Sequence, residues 1–378
     1  MNIIQYLKSK TFNVFLRLVP VKKNKIIFNN FCGKGYGDNP KYIADEILKR
    51  EKKCDLVWMV NDIEESMPNG IRTVLANSRR GRYELATSKI IICNVKHALV
   101  FNKKKSQYYI QTWHGSFGLK YIEKDAKDKL SASYLKKTIA DSKNIDLLLS
   151  SSNWQTEEYK RAFWYDGDIL EKGFPRNDLF FNITTTRVEQ IKKYLSIPLN
   201  KKICLYGPTF RDGLTTDAYD INLYSVKQEL EKKTREEWVV LVRLHPNIKS
   251  YSQLFKGVDY IDVTSYPDGQ EILAISDVLI TDYSSNMIDF LLLGNPVFLY
   301  SSDLEKYKKE RGLKPVYFEL PFTLCHNNEE LTKAIRDFNE DEYKERINRF
   351  QSLYHSYDNG CASDYVVNLI LEKMNLFD

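Results

Sequence analysis

The chain of 378 residues is 43% hydrophobic and 28% charged, which supplies material for packed cores, excludes a disordered chain, and makes two domains the natural division. Its net charge of +6 suits an anionic partner, and no motif beyond that mild basicity points to nucleic acid. Six scattered cysteines (Cys32, Cys54, Cys93, Cys204, Cys325, Cys361) have neither close pairing nor metal-type spacing, so reduced thiols in a cytoplasmic protein are expected.

Residues 1–24 carry Lys8, Lys10, Arg17, Lys22 and Lys23, and no acidic residue precedes Asp38. Ile4, Leu7, Val14, Phe15 and Leu18 fall near helical spacing. The segment lacks the run of roughly 20 apolar residues that a membrane span needs and the small-residue cleavage site of a signal peptide. It reads either as a basic amphipathic helix on an anionic membrane surface or as a helix packed on its own domain.

Lys25–Phe31 predicts a first strand, followed by a glycine-rich turn and a helix that Asn39 caps and Pro40 opens. The turn is neither a Walker loop nor a full dinucleotide fingerprint. Strands at Asp55–Val60, Ile90–Cys93, Tyr108–Thr112 and Asp146–Ser151 alternate with helices, as in an open parallel sheet. The fourth of these five strands runs into Trp113-His114-Gly115, which puts a histidine at the carboxyl edge where such sheets bind ligands. The alternative is a histidine hydrogen-bonded within its loop. Lys120–Lys143 is a charged, helical excursion, either a solvated face or a second membrane contact. Gly173-Phe174-Pro175-Arg176-Asn177-Asp178 is turn chemistry with an arginine able to meet a carboxylate or phosphate.

A boundary is expected near residue 186. Beyond it come strands at Lys202–Tyr206, Trp238–Leu244, Tyr260–Val263, Val278–Thr281 and Pro296–Tyr300. Arg243 and His245 lie on one side of their extended segment. Asp282-Tyr283-Ser284-Ser285 separates a buried strand from the helix Asn286–Leu293, placing backbone N–H groups and two hydroxyls at a helix start. That is an anion site, or only a serine cap. The expected division is 1–24 membrane-surface segment, 25–186 acceptor-side domain, 187–354 donor-binding domain, and 355–378 a C-terminal helix returning to the first domain.

Two consecutive α/β domains of this kind predict strand ends facing across a cleft. His114 and Arg176 would come from the first, Arg211, His245, Ser284 and Ser285 from the second. The cations and N–H groups of the second resemble a diphosphate clamp. Neither a metal nor a cofactor is expected, since clustered acidic ligands are absent from the sequence near these positions.

Six segments occur in a meaningful order: Thr112-Trp113-His114-Gly115; Gly173-x-Pro175-Arg176-Asn177-Asp178; Tyr206-Gly207-Pro208-Thr209-x-Arg211-Asp212; Arg243-x-His245-Pro246-Asn247; Thr281-Asp282-Tyr283-Ser284-Ser285 with Asp289; and Arg311-Gly312. Together they closely resemble the CDP-glycerol glycerophosphotransferases of wall teichoic acid synthesis, primases and polymerases included, from about Lys25 to the C-terminal helix. The resemblance implies an α/β GT-B fold of two Rossmann-like domains. It also implies a CDP-alditol donor held mainly by the C-terminal domain, and a lipid-linked glycan acceptor at the cytoplasmic face of the membrane.

In this likeness His114 is the catalytic base. Arg176, Asn177, Asp178, Thr209, Arg211, Arg243, His245, Thr281, Ser284 and Ser285 are substrate-binding, and Asp289 serves a ribose hydroxyl better than an anion. One departure stands out: Ser116-Phe117-Gly118-Leu119-Lys120 is a residue longer than the Thr-Pro-Leu-Lys of many members. Taken as an acceptor-side loop, it leaves the acceptor and the alditol open, CDP-ribitol included. A sugar-nucleotide glycosyltransferase or epimerase of the same fold, serving capsule synthesis, is the rival reaction. A membrane-surface scaffold without chemistry is the non-enzymatic one. A serine hydrolase lacks its Gly-x-Ser-x-Gly elbow.

Overall fold

The computed structural model describes residues 12, 14–96, 103–211, 219–244, 255 and 259–376. Much of the basic N-terminal segment (residues 1–11 and 13) and His245 with its adjoining loop therefore lie outside the described residues. The chain divides into two compact units, Met1–His114 with Ile122–Asp178 and Tyr357–Asp378, and Gly115–Tyr121 with Leu179–Ser356.

The first unit is built on a seven-stranded sheet of order β3-β2-β1-β4-β5-β6-β7. Its strands are β1 (Lys22–Asn29), β2 (Asp55–Val60), β3 (Ile71–Leu75), β4 (Ser88–Cys93), β5 (Tyr108–Gln111), β6 (Leu147–Ser150) and β7 (Asp168–Glu171). All neighbours pair in parallel. Both faces are covered, which explains the near-continuous apolar runs of the central strands. Alternation sorts them: Ile26, Phe28, Ile90 and Ile92 enter one core, and Ile27, Ile91 and Cys93 the other. The helix Ala362–Met374 adds Val366, Val367, Ile370 and Leu371 to the first of these cores, so the chain's last helix completes the first unit. A buried charge cluster gathers around Lys25 of β1. Lys25 bonds Glu84 at 2.5 Å and Thr87 at 2.8 Å, while Arg72 bridges Asp55 and Glu84.

The second unit carries a six-stranded parallel sheet of order β10-β9-β8-β11-β12-β13. Its strands are β8 (Lys202–Tyr206), β9 (Trp238–Val242), β10 (Tyr260–Asp262), β11 (Val278–Thr281), β12 (Val297–Tyr300) and β13 (Thr323–Cys325). Ile203 and Leu205 of β8 face one core, Cys204 and Tyr206 the other.

Two features differ from the sequence expectation. The division falls at Asp178/Leu179 rather than near residue 186, because Asp178 is bonded to the helix Ala362–Met374 and stays with the first unit. The loop Gly115–Tyr121, expected with the first domain, belongs to the second. Phe117 and Leu119 are buried in its core, with Phe117 ring centroids 5.9 Å from Phe350 and 5.5 Å from Tyr354. Burying two large apolar side chains outweighs sequence proximity to β5.

Candidate active site

In the first unit β5 delivers its chain to Trp113 and His114. Trp113 has φ 56°, a left-handed conformation rare for an aromatic residue. It is held there by three bonds. Its N–H donates to Gln111 Oε1 (3.0 Å), and its carbonyl accepts from Thr112 Oγ1 (3.0 Å) and Asn39 Nδ2 (3.2 Å). Strain that is over-determined in this way concentrates at functional sites.

The consequence is the pose of His114. Its Nδ1 lies 2.7 Å from the carbonyl oxygen of Asn94. A carbonyl only accepts, so Nδ1 carries the proton and Nε2 presents the lone pair. Asn94 is itself fixed, its Oδ1 accepting from Phe31 N (2.8 Å) and its Nδ2 donating to Asn30 (2.7 Å). Phe31 and Trp113 flank the imidazole at ring-centroid distances of 5.3 and 4.5 Å. Burial lowers the His114 pKa below the ordinary 6.5, more than the Asn94 carbonyl and Asp38 raise it, and Arg176 adds to the lowering. The imidazole is neutral at pH 7 and ready to accept a proton.

Arg176 is buried. Its Nη1 donates to the His114 carbonyl (2.8 Å) and to Asp38 (3.0 Å). It meets a carboxylate of the protein and fixes the backbone of His114 from behind. The Asp178 carboxylate accepts from the N–H groups of Ala362 (2.9 Å) and Ser363 (2.7 Å), which caps the terminal helix. Asn177 is buried in the same short turn.

In the second unit the loops after β8 and β11 interlock. Asp282 accepts from Thr209 N (2.8 Å), Thr209 Oγ1 (2.6 Å), Tyr283 N (2.5 Å) and Arg211 Nη2 (2.8 Å). Arg211 also pairs with Asp303 at 2.6 Å and is only 6% exposed. Burial opposes its charge, but Asp282 and Asp303 overcome that and hold its pKa above the usual arginine value. Thr281 Oγ1 donates to the Gly207 carbonyl at 2.7 Å. Arg243 Nη1 holds the carbonyls of Val263 (2.7 Å) and Tyr266 (2.9 Å). Ser284 Oγ accepts from Asn286 N at 3.3 Å, Ser285 precedes the helix Asn286–Leu291, and Asp289 within that helix is buried. Thr209, Arg211, Ser284 and Ser285 are thus gathered beside one pair of strand ends, while Arg243 is tied to the loop after β10.

A model of CDP-glycerol:poly(glycerophosphate) glycerophosphotransferases matches residues 11–372. The chain belongs to this glycerophosphotransferase family. It is 33% identical, over 93% of its length, to a teichoic acid poly(glycerol phosphate) polymerase of Staphylococcus epidermidis. It spans about half of that polymerase and of its Bacillus subtilis counterpart (51% and 49%). A teichoic acid glycerol-phosphate transferase of Staphylococcus aureus is 31% identical, with 96% of each chain covered. Relatives named for ribitol phosphate, from Bacillus spizizenii, are 27% identical. Among solved structures, the wall teichoic acid polymerase TagF superposes with a TM-score of 0.85 at 30% identity over 99% of both chains. The fold is accordingly GT-B, two Rossmann-like α/β domains.

Three partners in this family member escape a reading of the sequence. The Asn94 carbonyl is backbone and leaves no residue-type signal. Asp38 meets Arg176 across 138 positions, and Asp303 meets Arg211 across 92. Lys120 is visible in the sequence only as part of the longer loop.

Proposed function

We propose that the chain transfers glycerol phosphate from CDP-glycerol to a hydroxyl of a lipid-linked acceptor, releasing CMP. The observation that carries the assignment is the tautomer of His114, with Nδ1–H committed to a carbonyl and Nε2 left basic. The acceptor hydroxyl attacks the β-phosphorus, its proton passes to Nε2, and the bond to the bridging oxygen breaks as CMP leaves. A neutral imidazole of lowered pKa matches that role at pH 7. The remaining work is positioning and charge stabilisation, as is general for phosphoryl transfer.

The second unit holds the donor. Ser284 and Ser285 meet phosphate oxygens, His245 contributes a further donor, and Asp289 is assigned to a ribose hydroxyl. Glycerol phosphate is favoured over ribitol phosphate because four glycerol-named relatives stand at 31–33% identity, although two others stand at 27% and 29%, and both ribitol-named ones stand at 27%. Incubation with CDP-glycerol, CDP-ribitol and UDP-sugars, read by nucleotide release, tests the donor. CMP from CDP-glycerol is expected, and release from a UDP-sugar alone would refute the proposal. Mass analysis of the product on a defined lipid-linked acceptor fixes what is transferred.

The enzyme works at the cytoplasmic membrane face as a peripheral protein. Among the described residues no helix is long and apolar enough to cross a membrane. Val14, Phe15 and Leu18 are exposed beside a run of basic residues, as a surface contact with anionic lipid requires. Cosedimentation with anionic but not neutral vesicles is the expected result.

A further inference from the structure

Among the described residues of the second unit there is a half-buried cation that no carboxylate pairs. It sits on the loop Gly115–Tyr121, which is strapped onto that unit at several points. Ser116 Oγ donates to the Ser285 carbonyl (3.4 Å), Tyr354 OH donates to the Ser116 carbonyl (3.2 Å), and Lys314 N donates to the Leu119 carbonyl (2.9 Å). Lys120 forms an antiparallel bridge with Leu313, directly after Arg311-Gly312. Its Nζ stands 5.3 Å from the ring centroid of Tyr307, the ring that stacks on Tyr283 at 3.7 Å. The guanidinium carbon of Arg211 is 4.9 Å from each of those two rings.

Around Lys120 the charged groups are Asp282, Arg311 and Arg211, with Tyr307 as the adjacent phenol. Asp282 already accepts from Thr209, Arg211 and Tyr283, and Asp303 accepts from Arg211 and Tyr283. Among the described residues the Lys120 ammonium has no hydrogen bond and no ion pair. Both carboxylates are thus engaged by Arg211, which leaves neither to pair with Lys120. A partly buried ammonium without a carboxylate partner, beside a second cation, is costly unless an anion arrives.

We propose that Lys120 is a direct ligand of the donor's diphosphate, while Arg211 acts as the scaffold that holds Asp282 and Asp303 in place. The assignment rests on the CDP-alditol chemistry proposed above and names the group that grips it. It gives the strap a purpose: Phe117 and Leu119 anchor the loop in the core so that Lys120 is delivered beside the strand ends that carry Ser284 and Ser285. The sequence pattern assigns the diphosphate to His245 and Arg211 with the Ser284/Ser285 helix start, and of these Arg211 has its charge already taken by the two aspartates.

Calorimetry of the full chain with CDP-glycerol and with cytidine, across pH 7–9.5, decides it. Losing one charge-assisted contact should weaken CDP-glycerol binding roughly 10- to 100-fold in Lys120→Met. Cytidine, which lacks phosphate, should bind both proteins alike, and Lys120→Arg should recover part of the loss. Burial, with Arg311 and Arg211 adding to it against the pull of Asp282, brings the Lys120 pKa down to about 8. Wild-type affinity for CDP-glycerol should therefore fall as pH rises through about 8, with no such break in Lys120→Met. Tyr307 titrates far above this window, so it does not supply the break. Unchanged CDP-glycerol affinity in Lys120→Met overturns the lysine assignment alone. Failure of the wild type to bind CDP-glycerol, with cytidine still bound, overturns the donor assignment and this one with it. Lys120→Gln serves the same comparison if the methionine variant misfolds.

Discussion

Replacing Lys120 with methionine should make the protein more stable. The ammonium's pKa drops from 10.5 to about 8, chiefly because burial strips its water. At about 1.4 kcal/mol per tenfold change in proton affinity, that drop corresponds to about 3 kcal/mol. Residual solvent contact of the side chain reduces the figure, so about 1–3 kcal/mol is the expected gain at pH 7. The unfolded chain binds the proton more tightly than the folded one. The cost is therefore fully present below about pH 8, shrinks as pH rises towards 10.5, and vanishes above it. Methionine keeps the apolar stem and removes the charge. Urea unfolding of donor-free wild type and Lys120→Met at pH 7, 8, 9 and 10, followed by circular dichroism, reads the gap directly. A variant no more stable than wild type at pH 7, or a gap that fails to close towards pH 10, would refute the idea of an uncompensated, partly buried ammonium.

Removing the imidazole in His114→Ala should lower turnover by roughly 10²- to 10⁴-fold while CDP-glycerol binding persists, measured by CMP release and calorimetry. Because the His114 pKa lies below 6.5, wild-type turnover should hold at pH 7 and fall only on the acid side of the usual imidazole range. Arg176→Met removes both the ion pair to Asp38 and the hydrogen bond that fixes the His114 carbonyl. A loss of about 3–5 kcal/mol in unfolding free energy is expected, with kcat falling more than KM rises. For Glu84 burial alone would raise the pKa, but Arg72 and Lys25 hold it down at about 2. Its stabilisation is present above about pH 4.5 and is lost as pH falls through about 2. The deficit of Glu84→Gln, about 3–5 kcal/mol at pH 7, should accordingly narrow in acid unfolding experiments.

The central strands of both sheets were legible because they are buried on both faces and read as unbroken apolar runs, Ile90–Cys93 and Val278–Thr281 among them. Three strands at sheet edges were not. In β7, Asp168-Ile169-Leu170-Glu171, charged residues end a half-exposed pair, and β3 and the three-residue β13 are similarly mixed. An edge strand keeps one side in water, so its composition carries little of the apolar signal. At the candidate site, His114 stood out in the sequence because it ends a buried strand. The group that sets its tautomer is a peptide oxygen and could be located only in three dimensions. For Arg211 the sequence showed a cation but not the two aspartates that surround it. Lys120 changed units because Phe117 and Leu119 found a better-filled core than their neighbours in the chain.

In the proposed reaction the carbonyl of Asn94 also decides which nitrogen regains its lone pair after each turnover. Burial makes the ring hold its extra hydrogen ion weakly, so the imidazolium of that reaction would discharge to solvent once CMP has gone, and the lone pair would return to the same nitrogen. The proposed base would therefore reset without rotating its ring, and each successive acceptor would meet the same face of the same atom.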